Sequence, residues 1–409
     1  MASPQMTAIS GPRELLIGAC FTHEYAIEGA ALCNPSMVAH PDQGGVEPGC
    51  TRFVLSARGI GEGHLSCVEF RTGIAGPDGR VRLDAPAPYA TVGRSTPLPD
   101  YDLALFGAVL SAQGDDDEVA AFLRRHLPDR FTAAHLEQVL EKLPEQLVRR
   151  QGTHRTIEHV RMVAAGTYEV GFPSHTPVGE RVLWPTGPTE RHGMEDARFV
   201  AFTEDDGTCS YYATYTAFDG ASVAPQLLHT RDFHTFRVSQ LTGPAAANKG
   251  MALFPRRVGG RYLALSRWDR ESSALASSPD NRTWNPVRTL QSPRRDWELI
   301  QLGNCGSPIE TDAGWLVLTH GVGPMRTYSI GAILLDLDHP ERVVAELDEP
   351  LLEPGPGERD GYVPNVVYSC GAMRHGDSLV IPYGTSDTAI RFAAVPVMAL
   401  LERMRPASS

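Results

Sequence analysis

No stretch of this chain is apolar for long enough to cross a bilayer, and the first ten residues lack the basic-then-apolar order of an export signal. Those absences lead to the expectation of a soluble, cytoplasmic protein with no membrane partner. There is no CxxC pair, and the seven cysteines (Cys20, Cys33, Cys50, Cys67, Cys209, Cys305 and Cys370) are an odd number spread widely. A disulfide scaffold or zinc site is therefore a poor reading, and buried free thiols in a reducing compartment are expected. HExxH, a Walker loop and a GxGxxG opening a helix are also missing, so neither a metal nor an organic cofactor is expected. Lysine is nearly absent: only Lys142 and Lys249 stand among 37 basic residues. Against 49 acidic residues the net charge is −12, which argues against nucleic acid as a partner and leaves room only for a local basic pocket.

What is present suits a folded β protein. Of 409 residues, 42% are hydrophobic and 21% charged, and 39 glycines with 32 prolines make the chain turn-rich without approaching linker composition. Short apolar strand patterns carrying an aromatic or a β-branched residue recur at Arg52–Ser56, Ser210–Thr214, Arg261–Leu265, Gly314–Leu318 and Asp377–Ile381. The last four begin 51, 53 and 63 residues apart, close to the spacing of propeller blades. Two units also share a turn, Arg231–Phe236 and Ser278–Trp284, in which Asp or Asn bonds nearby backbone and an aromatic packs behind it. Five units predict an all-β, five-bladed propeller.

The first two units lie too far apart for one blade. Between them, from Asp115 to Arg150, apolar residues fall 3 and 4 apart (Val119, Phe122, Leu123, Leu127, then Leu136, Val139, Leu140, Leu143, Leu147), which is helical spacing. The expected organisation is a first blade with an N-terminal segment over 1–100, a helical insertion over 101–165, and the remaining blades over 166–409. The insertion is read as a packing element, a cover for one rim or a homo-oligomer contact.

A propeller brings loops and strand ends from several blades to one central channel. The densest candidate segment is His192–Phe199, with Glu195, Asp196 and Arg198 just ahead of a strand. Adjacent acids beside an arginine suit a general acid, whose pKa or orientation must be set by its neighbours; a surface ion pair is the plainer alternative. Arg58, Lys249, Arg267 and His320 sit at or near strand ends in four units, so cations converging beside Asp196 suggest a site for an anion or a charged transition state.

Seven motifs in order (Gly193–Arg198, Asn248–Pro255, Gly314–Leu316, His320–Val322, Gly331–Leu337, Tyr362–Tyr368 and Tyr383–Asp387) resemble glycoside hydrolase family 130, the inverting β-mannoside phosphorylases and hydrolases built as five-bladed propellers. The resemblance implies Asp196 as general acid, passing its proton to the glycosidic oxygen through a sugar hydroxyl. It implies inorganic phosphate as co-substrate, held by Arg58, Lys249, Arg267 and His320, attacking the anomeric carbon from the opposite face. Phosphate is already a nucleophile and needs cations to align it, whereas water needs a base. Asn34, Glu195, Arg198, Tyr328, Asp360 and Asp387 are the implied contacts to an oligosaccharide or to the site's shape.

Two positions depart from the family pattern: Gln301 stands where a lysine is expected, and Ser329 where an arginine is, with Arg326 close by. Losing one cation from a desolvated anion site costs on the order of 2–5 kcal/mol of binding. Three functions follow: a phosphorylase on β-1,2-mannooligosaccharides giving α-mannose 1-phosphate, an inverting β-1,2-mannosidase using water with Glu271 or Glu298 as base, and a non-catalytic sugar-binding propeller.

Overall fold

A computed structural model describes residues 11–21, 25–112, 114–115 and 117–407. The fold is predominantly β and antiparallel. Strands Ala31–Ala39, Thr51–Ile60 and Ser66–Ala75 pair in succession. Gly193–Thr203, Cys209–Phe218, Val223–Thr230 and Thr235–Gln240 form a second meander. These two groups meet at a single bridge, Ser66 to Gly193, so pairing runs through them as one twelve-stranded sheet. The repeat predicts separate units there; that one bridge is what merges them.

Tyr262–Ser266 and Ser273–Ser278 centre a four-stranded sheet, Gly314–Val322 and Tyr328–Leu335 a six-stranded one, and Ser378–Thr385 another of four. All five sequence-predicted strand patterns fall on these elements, two of them (Arg261–Leu265 and Asp377–Ile381) starting one residue ahead of the strand. Each sheet touches the next, and the last meets the first, where Cys370 N–H donates to Pro35 O at 2.8 Å and Ser36 bridges Gly371. Residues from both chain ends therefore reach one place.

The shared turns form as expected. Asp232 accepts from the N–H groups of His234 and Thr235, and Asp280 from those of Arg282 and Thr283. The aromatics behind them, Phe236 and Trp284, are fully buried, each in a different apolar cluster.

The helical stretch is longer and more broken than periodicity predicts. Glu118–His126, Ala133–Leu140 and Glu145–Val148 replace the continuous pattern, because Asp117 and Thr132 each cap a new start. Two further helices, Leu103–Ala112 and Thr153–Ala165, flank them. Leu103–Ala112 has no charged side chain and hence no amphipathic signal, which is why spacing missed it. The helices share a core of their own that includes Phe106, Leu123, Phe131, Leu136 and Val160. No helix among the described residues is long and apolar enough to cross a membrane. The thiols divide: Cys33, Cys67, Cys305 and Cys370 are buried, while Cys20 and Cys209 are exposed, contrary to the expectation that all are interior.

Candidate active site

Asp196 sits in a strand that is locally not a strand. Between Glu195 and Arg198 the pairing with Cys209–Phe218 slips, and Asp196 takes a left-handed backbone with φ of +56°. A bulge of this kind turns one side chain off the sheet face. Asn34 (φ +52°) and Asp387 (φ +51°) are in the same conformation, and all three line one cavity. Such strain, about 1–3 kcal/mol per residue, persists only where the surroundings hold it and gathers at functional sites.

That cavity encloses about 820 Å³, including the solvent it opens to. It brings together Asn34, Arg58, Glu195, Asp196, Lys249, Arg267, His320, Tyr328 and Asp387 from the sequence-predicted set. Gln301, one of the two positions that depart from the family pattern, also lines it; the other, Ser329, is buried outside the wall, while its neighbour Arg326 faces the site. Tyr368, present in the Tyr362–Tyr368 motif but not singled out there, joins the wall.

The charges interlock. Glu195 bridges two cations, accepting from Arg58 Nη2 at 2.8 Å and from Lys249 Nζ. It is buried and committed to holding those cations, which explains its place better than a direct sugar contact does. Asp196 accepts from Asn34 Nδ2 and lies 3.7 Å from Arg58 Nη1 and 3.8 Å from Arg198 Nη2. Arg198 is buried outside the cavity wall. It donates to the carbonyls of Asp196 (2.9 Å) and Cys305 (2.8 Å) and to the Tyr368 hydroxyl (2.8 Å), and so fixes the bulge. Burial alone would push the Asp196 carboxyl up, but Arg198, Arg58 and Lys249, with the Asn34 hydrogen bond, hold it below the usual aspartate value. Asp387 has no such excess of cations: burial and the nearby charge of Asp196 push it up to about 6, against Arg58 and Arg326.

His320 corrects the expectation of a fourth cation. It is buried, and burial with the charges of Arg267 and Arg198 drives its pKa well below the ordinary histidine value, so the ring is neutral. Arg267 Nη1 lies 3.1 Å from its Nε2, which then acts as acceptor. With its amide oxygen turned to the guanidinium, Gln301 accepts from both terminal nitrogens of Arg267, 3.1 Å from Nη2. Tyr328 stacks on His320 and Tyr368 meets it edge-on, giving the cavity an aromatic wall fit for a sugar face.

Three sequence candidates fall elsewhere. Asp360 is exposed and outside the cavity wall. Glu271 is exposed in a turn, and Glu298 is fully buried, accepting from the N–H groups of Arg294 (3.1 Å) and Arg295 (3.2 Å). Glu298 closes a short helical turn, and neither glutamate lines the cavity.

The family model described as beta-1,4-mannooligosaccharide phosphorylase, glycoside hydrolase family 130, matches residues 154–405, more than half of the chain. This chain belongs to family 130. Asn34 and Arg58 lie before the matched region and the rest of the site within it. Among curated relatives, beta-1,2-mannobiose phosphorylase of Listeria innocua is 32% identical over 229 residues, 54% of this chain and 63% of that one. The 1,2-beta-oligomannan phosphorylase of Thermoanaerobacter is 34% identical over 213 residues, covering 50% and 68%. The alignment thus spans less than two thirds of the Listeria protein. The solved structure of beta-1,2-mannobiose phosphorylase from Listeria innocua with beta-1,2-mannobiose shares the fold over 94% of both chains, with a TM-score of 0.55 at 22% identity.

Proposed function

We propose that this family 130 member is an inverting phosphorylase of β-linked mannosides, acting on short β-1,2-mannooligosaccharides and releasing α-mannose 1-phosphate. The observation that carries this reading is one cavity holding a half-buried carboxylate, Asp196, with Arg58, Lys249 and Arg267. The β-1,2 linkage is that of the Listeria and Thermoanaerobacter relatives. In this reading the sheets act as blades of a five-bladed propeller, the twelve-stranded sheet supplying two, with residues 101–165 inserted between them.

Phosphate held by the three cations attacks the anomeric carbon while the glycosidic oxygen, on the opposite face, takes a proton that originates on Asp196. The bond to the leaving sugar breaks, the mannosyl carbon inverts, and the leaving chain departs with a free hydroxyl. Asp196 is ionised when its cations are unopposed. A phosphate dianion placed among them offsets their field and favours the protonated carboxyl the step requires. His320, neutral, contributes by orienting Arg267.

A hydrolytic reading is favoured by one observation: Gln301 occupies both terminal nitrogens of Arg267, donors a phosphate would use. With Glu271 and Glu298 outside the cavity, Asp387 is the carboxylate in position to act as base for water. Product analysis on β-1,2-mannobiose with and without inorganic phosphate tests this. Phosphate-dependent α-mannose 1-phosphate is expected; free mannose at the same rate without phosphate would transfer the assignment to hydrolysis. Asp196→Asn is expected to lower kcat by about 10²–10⁴ with the fold intact. Unchanged turnover would remove Asp196 as the acid, and no turnover by the parent chain on any mannoside would leave a binding role.

A further inference from the structure

A second cavity, of about 740 Å³ including the solvent it opens to, lies between the helices and strand Thr235–Gln240 and shares no wall residue with the candidate active site. Tyr101, Leu105, Phe106, Val109 and Val163 form an apolar side, and Arg237, Ser239 and Arg282 a polar one. Most charges around it are already engaged. Asp102 accepts the N–H groups of Ala104 (3.0 Å) and Leu105 (3.1 Å), Asp100 pairs with Arg130 at 3.6 Å, and Arg237 gives two nitrogens to Glu169 (2.9 and 3.2 Å).

Arg282 differs. Its Nη1 donates to Asn281 O at 3.2 Å, and among the described residues no carboxylate lies within ion-pair distance. Ser239 Oγ, on the same side, is buried without a hydrogen-bond partner among the described residues. The local field is positive: His229 is pushed down to about 4 by burial and then by Arg282, Arg237 and Arg231. A partly buried guanidinium with no ion pair, its burial offset only in part by the nearby charge of Asp280, is costly beside an orphan hydroxyl unless something occupies both. Guanidinium donors suit a carboxylate, and the opposite wall of aromatic and branched side chains suits an apolar ring.

We propose that this cavity binds a small monoanion whose carboxylate meets Arg282 and Ser239 and whose apolar ring lies against Tyr101, Phe106 and Val109. It is a site separate from sugar and phosphate, and it stands whichever nucleophile the active site uses.

Calorimetric titration of the full chain with 4-phenylbutyrate, and with its neutral amide, tests the proposal. One saturable site for the acid is expected, with the amide at least about tenfold weaker, and inorganic phosphate failing to displace the acid. Arg282→Gln should weaken the acid by about tenfold or more while leaving the amide unchanged. Its melting temperature should hold or rise, since an unpaired charge is removed. If Arg282→Gln does not fold, Val109→Trp, which fills the apolar side without touching Arg282, should abolish binding of both compounds. Equal binding of acid and amide, displacement by phosphate, or no binding of millimolar acid would each overturn the site.

Discussion

Asp387 shows how far one side chain's chemistry depends on residues distant in sequence. In the unfolded chain its carboxyl titrates near 3.9; in the fold, burial and the charge of Asp196 move it to about 6. The folded state therefore holds the proton more tightly. Stability contributed by the neutral carboxyl is present below about pH 4 and is lost as pH rises through 6. Asp387→Asn, which keeps the shape without the charge, is expected to gain about 1–3 kcal/mol over the parent chain at pH 8 and almost nothing at pH 4. Urea unfolding at the two pH values measures this, and an equal gain at both would mean the carboxylate is not disfavoured where it sits. Arg267 and His320 carry the complementary lesson. Residue type suggests two cations, whereas a guanidinium pressed on a buried imidazole leaves only one.

The strand that bears Asp196 works because of the residue that opens it. Gly193 has φ of +125°, and a Cβ there would lie 2.3 Å from Ser66 Oγ and 2.8 Å from Ser66 N. Among the described residues, the only pairing between the two halves of the twelve-stranded sheet passes through this contact, two residues before Glu195. Gly193→Ala must strain the backbone and push the strands apart. It is expected to lower stability by about 1–3 kcal/mol and to lower kcat as the bulge shifts. Gly179→Ala, where a Cβ meets nothing within 4 Å, is the control and should change neither. A normal kcat for Gly193→Ala would show that the bulge is held by Arg198 alone. Alternating apolar residues made the strands legible in sequence. The bulge was not legible, because its cause is Arg198 reaching Cys305 and Tyr368 from other sheets.

At the scale of the whole molecule, the helices keep a core apart from the sheets, so the two can lose structure separately. Phe131 is buried at its centre, stacked on Tyr101 at 5.3 Å and edge-on to Phe106 at 5.2 Å. Phe131→Ala is expected to cost about 3–5 kcal/mol. All five tryptophans (Trp184, Trp268, Trp284, Trp297 and Trp315) lie outside residues 101–165, which hold these helices. Helical ellipticity should therefore melt at lower urea in the variant while tryptophan fluorescence moves much less. Coincident shifts would mean one cooperative unit.

Local pattern by itself determined the β character of the chain, its five strand patterns and paired turns, because those follow from alternation and backbone bonding within a few residues. It also marked Asp196 and the cations around it as one chemical set. Only the tertiary structure decided which residues share a cavity. Asn34 and Asp387 come from opposite ends of the chain and face each other because the last sheet meets the first. Glu271 and Glu298, near in sequence to Arg267 and Gln301, fall away from the cavity because one is exposed in a turn and the other closes a buried one. Neither outcome is written in spacing: burial, charge and hydrogen bonding between sheets set both, and those exist only once the chain has closed on itself.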